Sequence, residues 1–222
     1  MTKAESNDRV LREAARLFRL QGYAATTVRE IAAAADMLPG SLHYRYPSKD
    51  DVLIALMERA VDKAIAEVNA EIRKVEDPIE RLRVGIGKYL EMLLEGDDAL
   101  FVMLFDWRSL PIGAKRGLDR ARKRYEQYWD GLLVEAYATG KSRPVVDIEL
   151  LRHFGFGAAN WVATWYKKDG GRSPREIADA FWTFLAYGLM DEKFRPPDLN
   201  AQFERFGPKA PPQPAAKEKP WN

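Results

Sequence analysis

The residues best placed to do chemistry lie between Thr26 and Lys49, in the string TTVREIAAAADMLPGSLHYRYPSK. His43, Tyr44, Arg45 and Tyr46 follow a Pro-Gly step, and Lys49 comes three residues later. Hydroxyl, imidazole, phenol and guanidinium groups on one short helix, with an ammonium just beyond it, are donors suited to a phosphate backbone and to base edges. From 37 to 49 the only formal charges are Arg45 and Lys49, both positive, which favours a polyanion locally. The competing interpretation is a generic helical hairpin whose aromatics are core, and periodicity alone allows it. Catalytic alternatives have little to stand on. With two histidines, His43 and His153, and no cysteine, neither a zinc site nor a nucleophilic triad is expected. The Gly155-Phe156-Gly157 string lacks a preceding strand and a third glycine, so it reads as a close helix contact. No enzyme activity and no cofactor are expected.

The elements that must position these side chains have local signals. Thr27 and Glu30 have capping-box spacing, so a helix should begin at Val28, with Val28, Ile31, Ala32 and Ala35 on one face. Asp36 sits where the turn needs a residue tolerant of a left-handed conformation. Pro39 suits the first turn of the next helix, because its missing N–H has no partner there. Leu42 should face inward; Ser41, His43, Tyr44 and Arg45 should face outward. Ser48 and Asp51 form a second capping box and put Lys49 in the first turn of a long helix, a ready phosphate clamp. Together this is the build of a helix-turn-helix.

The residues from Val10 to Leu56, through AARLFRLQGYAATTVREIA and GSLHYRYPSKDDVL, resemble the N-terminal domain of TetR-type transcriptional regulators. The resemblance implies a three-helix DNA-binding domain, a helical ligand-binding domain and a homodimer. Carried over position by position, it implies that Thr26, Thr27, Gly40, Ser41, His43, Tyr44, Arg45 and Lys49 contact a double-stranded DNA operator. The chain departs from the common pattern at Asp36-Met37, at Leu38 and at Tyr44-Arg45-Tyr46, so no relative's operator sequence can be borrowed. A second string, NWVATWYKKDGGRSPREIADAF, looks like the regulatory domain of a TetR subgroup that controls fatty-acid and steroid breakdown. Members of that subgroup often release DNA on binding an acyl-CoA thioester.

Beyond the reader, the pattern gives an all-α chain of about nine helices. Helix one should cover 6–21, ended by Gly22, and a long helix should cover 48–74 and link the two halves as a lever. Further helices are expected at 78–95, 99–107, 114–139, 147–168 and 173–190, with no strand. The expected domains are 1–47 for DNA binding, 48–206 for ligand binding and dimerisation, and a disordered Pro/Lys-rich tail at 207–222. The last two long helices carry more apolar and aromatic residues than one face can bury, including Phe181, Trp182, Phe184, Leu185 and Leu189, so they should pack on their symmetry mates.

The C-terminal half is rich in aromatic residues from four helices. Most should be core, but large flat side chains also line apolar ligand cavities. Phe105, Trp107, Arg108, Tyr128, Trp129, Asn160 and Trp161 are the expected ligand-binding set, for a small hydrophobic effector with an acyl-CoA as the leading candidate. The run Lys115, Arg116, Arg120, Arg122, Lys123 and Arg124 could receive coenzyme phosphates, or could simply be a solvated face.

Composition is permissive. The chain has 222 residues, 46 % of them hydrophobic, and a net charge of only +2, which by itself does not argue for nucleic acid. Absent cysteine, a polar start without the apolar run of a signal peptide, and no uncharged stretch long enough to cross a bilayer lead to the expectation of a cytoplasmic protein without membrane partners. The sequence therefore reads as a ligand-responsive transcriptional regulator, a repressor by expectation. A constitutive DNA binder without effector, or a helical enzyme of lipid or CoA metabolism, are the alternatives.

Overall fold

A computed structural model describes residues 3–105, 112–143 and 147–195, with side chains from residue 5 onward and, after the first gap, from residue 118. Nine α-helices are found among the described residues: α1 (Lys3–Ala25), α2 (Val28–Ala34), α3 (Pro39–Arg45), α4 (Lys49–Ile72), α5 (Pro78–Glu95), α6 (Asp98–Phe105), α7 (Ile112–Ala138), α8 (Ile148–Trp165) and α9 (Pro174–Leu189). A short 3-10 turn follows at Glu192–Phe194.

Most helix starts are written locally. Thr27, Ser48 and Ser173 each complete a capping box, with Glu30, Asp51 and Glu176 returning the bond. Asp77 and Asp147 cap α5 and α8 by accepting from two backbone N–H groups each. Helix one is interrupted where expected: Gly22, at φ 82° and ψ 156°, leaves the helical region, and one further turn carries the chain to Ala25. Asp36 takes the left-handed conformation at φ 48°. The expected extension of α6 to residue 107, and the tail at 207–222, lie outside the described residues.

Two hydrophobic cores lie along α4. The first joins Val10, Ala14 and Phe18 of α1 to Ile31 and Ala32 of α2, Leu42 of α3 and Val52, Leu53 and Leu56 of α4. It extends past residue 47 to Met57 and takes in Val102 of α6 and Leu118 of α7. The second gathers Val68 and Ile72 of α4 with Ile86, Tyr89 and Leu90 of α5, Trp129 of α7, Ala159 of α8 and Trp182 of α9. A seven-residue helix such as α3 is far too short to hold its shape alone. Leu42 is its one buried residue, so the helix is held on the core mainly through that side chain, whose full burial is worth about 1.5–3 kcal/mol.

The α4–α5 contact is unusually close at Gly85. A Cβ there would meet Val68 Cγ1 at 3.3 Å, Trp129 Cζ3 at 3.6 Å and Ile72 Cγ2 at 3.7 Å. At the other end of the bundle, Arg143 N–H donates to the Leu189 carbonyl at 2.7 Å and Asp191 N–H to the Lys141 carbonyl at 3.0 Å, so the exit of α7 is clipped to the end of α9. An isolated antiparallel bridge, Ser142 to Met190, is the only β pairing among the described residues.

Candidate nucleic-acid interface and ligand cavity

The first site is built on α3. The turn before it is fixed from α1, where Arg9 reaches the Asp36 carboxylate at 3.1 Å and the Asp36 carbonyl at 3.3 Å. Leu38 offers no side-chain cap, and Pro39 follows at the first helical position. With Leu42 turned inward, Gly40, Ser41, His43 and Tyr44 are exposed, Tyr44 to 94 %. Thr27 is exposed as well, its hydroxyl engaged in the capping box. The Thr27 hydroxyl, and then its backbone N–H, hold the Glu30 carboxyl below its ordinary value.

Three expected contacts sit differently. Thr26 is only 1 % exposed; its hydroxyl donates to the Gly22 carbonyl at 2.9 Å and accepts from Gln21 at 3.2 Å, so it secures the last turn of α1. Arg45 folds back from α3 to Asn7 Oδ1 at 2.8 Å and Ser6 Oγ at 3.2 Å. Lys49 gives its ammonium protons to the carbonyls of Tyr23, Ala24 and Thr26 at 2.7, 3.2 and 2.8 Å and stands 4.3 Å over the Tyr23 ring. Tyr23 in turn donates to Asp50; burial first, and then that carboxylate, push its phenol pKa up. Lys49 and Arg45 thus brace the reader against α1.

The second site is a cavity of about 330 Å³ between α4, α6, α7 and α8. Met57 and Val61 line it from α4, Met103 and Leu104 from α6, Tyr125 and Trp129 from α7, and Arg152, Phe156 and Asn160 from α8. A neighbouring void of about 30 Å³ is walled by Leu82, Ile86, Leu133, Phe181 and Leu185, and shares Trp129, Arg152 and Phe156 with the larger one. The rings of Trp129 and Phe156 meet edge-on at 4.9 Å and form the partition, while Tyr89 stands 5.1 Å from Phe156.

Seven of the lining residues carry polar side chains: Asp119, Arg122, Tyr125, Glu126, Arg152, His153 and Asn160. Arg152 is nearly buried; its Nε donates to Asp130 at 2.7 Å and its Nη1 lies 3.8 Å from Glu126. Arg122 donates to Glu126 at 2.8 Å. Tyr89 donates to Asn160 Oδ1. The Tyr125 hydroxyl and the Trp129 indole N–H are buried without a hydrogen-bond partner. Burial raises the pKa of both Tyr89 and Tyr125, which keeps them protonated as donors.

Of the seven residues expected to bind ligand, Trp129 and Asn160 line the cavity. Phe105 instead packs on Phe101 at 4.6 Å, and Tyr128 donates to Asn69 of α4 at 3.0 Å, its phenol pushed up to about 12 by burial. Trp161 is 66 % exposed and points away from the cavity, because the turn that carries Phe156 and Ala159 inward carries Trp161 outward. Trp107 and Arg108 lie outside the described residues, as do the side chains of Lys115 and Arg116. Sequence reasoning did not select Arg152, Tyr89 or Phe156. The available signal was the i, i+4 pair Glu126 and Asp130 on α7, which needs a cationic partner once that face is turned inward. Among the described residues no group of three or more His, Cys, Asp or Glu could hold a metal, and no helix is long and apolar enough to cross a membrane.

Comparison with known proteins agrees with both halves. Residues 10–56 match the model of bacterial regulatory proteins of the tetR family, and residues 75–189 that of the tetracyclin repressor-like C-terminal domain. The HTH-type transcriptional repressor KstR2 of Mycolicibacterium smegmatis is 26 % identical over 193 residues, covering 86 % of this chain and 93 % of its own. The fatty acid metabolism regulator protein of Bacillus subtilis is 24 % identical over 172 residues, covering 77 % and 89 %. A crystal structure of AibR in complex with isovaleryl coenzyme A and operator DNA superposes with a TM-score of 0.72 at 26 % identity, covering 81 % of this chain and 97 % of that one.

Proposed function

The chain belongs to the TetR family of bacterial regulatory proteins, and from that premise we propose that it is a homodimeric repressor released from a pseudo-palindromic operator by an acyl effector. Its relatives are named transcriptional regulators rather than enzymes. Each subunit would place α3 in a major groove, with the two readers roughly 34–36 Å apart. Ser41, His43 and Tyr44 would make the outward contacts, and Arg45 would join them by exchanging its Ser6 and Asn7 partners for DNA.

The observation that carries the effector half is the composition of the cavity wall. Met57 and Leu118 line the cavity and also belong to the core on which α3 is docked. A ligand there presses on α4 one turn after Leu53, so occupancy and reader position are coupled through shared side chains. The ligand need only prefer the DNA-incompetent arrangement, and a nearly complete switch needs about 5.5 kcal/mol of preference. A complex of a relative with a coenzyme A thioester and operator DNA supports the thioester class. The apolar part of the lining, Met57, Val61, Met103, Leu104, Leu118 and Phe156, fits an acyl chain or ring, and the polar side chains beside it could orient a head group.

The test is an operator selected from random duplexes, followed by fluorescence anisotropy in the presence of CoA thioesters, free acids and neutral lipids. Release by thioesters at micromolar concentration is the expected result. Release by a neutral or cationic compound alone would overturn the thioester reading, and failure to select any duplex would overturn DNA recognition.

A further inference from the structure

The cavity contains donors that the free protein does not use. Trp129 is 1 % exposed, and its Nε1 proton has no acceptor. The Tyr125 hydroxyl is likewise buried and unpartnered. The Trp129 N–H and the Tyr89 phenol both lie near the Tyr125 oxygen and act as weak donors toward it, holding its ionisation down against burial, but neither contact meets the distance and angle of a full hydrogen bond. Asn160 gives its Oδ1 to Tyr89, which leaves its amide protons as donors beside them. A buried donor left unpaired costs roughly 1–3 kcal/mol, so two in one cavity wall call for an acceptor.

We propose that Tyr125, Trp129 and Asn160 form a seat for a neutral carbonyl oxygen, so that the effector is recognised by the acyl carbonyl of a thioester or ester and not as a free carboxylate. The proposal rests on the effector reading above and specifies what this cavity reads. All three donors are uncharged. Among the described residues of the lining, the cationic side chains have carboxylate neighbours: Arg152 donates to Asp130 and lies against Glu126, Arg122 donates to Glu126, and His153 lies 3.5 Å from Glu149. Among the described residues a carboxylate would therefore lose its hydration without gaining an unmatched cation, whereas a carbonyl needs only neutral donors. Phe156 and the apolar void beyond Trp129 would take the carbon chain.

The experiment uses the full chain and four probes: hexanoyl-CoA, its thioether analogue S-hexyl-CoA, methyl hexanoate and hexanoic acid. Calorimetry on the native protein and on Tyr125→Phe gives the comparison. Hexanoyl-CoA and methyl hexanoate should bind Tyr125→Phe about 3- to 10-fold more weakly than the native protein. S-hexyl-CoA, which keeps the amides of the coenzyme but has no acyl carbonyl next to sulfur, should bind both alike, and hexanoic acid should bind more weakly than its ester. Without ligand, Tyr125→Phe should melt at the same or a higher temperature, because it removes an unpaired buried hydroxyl. A lower melting temperature would show that the hydroxyl serves the fold and would overturn the seat. So would equal losses for thioester and thioether, tighter binding of the acid, or no binding of either carbonyl probe. Operator release followed in the same titrations separates the two claims. A carbonyl probe that binds through Tyr125 but leaves the operator complex intact sinks the effector reading while the seat stands.

Discussion

Tyr44 is the most exposed large side chain of the reader, and nothing in the fold requires it to be there. Tyr44→Ala should weaken operator binding about tenfold, the value of one hydrogen bond to a charged group, with unchanged helicity and melting temperature. Anisotropy against the selected duplex reads the first quantity and circular dichroism the others. Lys49 should behave in the opposite way. Its ammonium closes off three carbonyls at the end of α1, so Lys49→Ala should lower stability by about 1 kcal/mol even without DNA. An unchanged melting temperature would show that those bonds contribute nothing in solution. The difference between these two residues marks the reach of sequence reading at this scale. Tyr44 was legible because a short helix with Leu42 inward leaves few ways to point. The partners of Lys49 and Arg45 were not, since a long cationic side chain can bend to acceptors 23 to 38 residues away, such as Thr26 and Asn7.

Among the elements, α8 and α9 leave large apolar side chains uncovered. Leu150, Phe154, Trp161 and Trp165 are spaced 4, 7 and 4 along one face of α8, all exposed, and Phe184 of α9 is 69 % exposed. Single exposed apolar residues need no explanation, but a continuous stripe of them marks a contact surface. A two-fold four-helix contact through α8 and α9 would cover it. Phe184→Glu should therefore give monomers or insoluble protein by light scattering, while a native chain that is monomeric at micromolar concentration would refute the dimer. Leu185, its neighbour, borders the small void and belongs to the inside of the subunit. The starts of α2, α4, α5, α8 and α9 were legible nearly to the residue, because capping boxes at Thr27, Ser48 and Ser173 and aspartate caps at Asp77 and Asp147 are local signals, whereas α1, expected at 6–21, runs from Lys3 to Ala25. Their facing was less so. Helix α8 is apolar on two sides, with Phe156, Ala159 and Val162 on one and Phe154, Trp161 and Trp165 on the other. A period of 3.6 cannot rank the two, and Trp161 was therefore expected in the cavity it turns away from.

In the whole molecule, α4 is shared property. Its first half belongs to the core under the reader, its middle walls the cavity, and its last turns enter the second core. From outside, Arg124 grips Asp62 at 2.7 Å and Tyr128 reaches Asn69, so α7 holds the same helix that walls the cavity. Nothing about this arrangement could be read from Met57 or Val61 alone, since each simply continues a helical stripe. Gly85 lies where the arrangement has no slack. Gly85→Val would place two methyl groups against Val68 and Trp129, where even a Cβ is already tight, and overpacking of this kind costs about 1–3 kcal/mol. Relief by a shift of α4, which carries Val68 and Ile72, would move the helix that also walls the cavity. Operator affinity of Gly85→Val should fall severalfold without ligand, and normal affinity in a folded variant would show that α4 does not yield. If the chain acts as the proposed repressor, a severalfold loss of operator affinity would leave its target promoters partly open without inducer, so a genetic screen for raised basal transcription should return codon 85, a position that lies neither on α3 nor in the cavity lining.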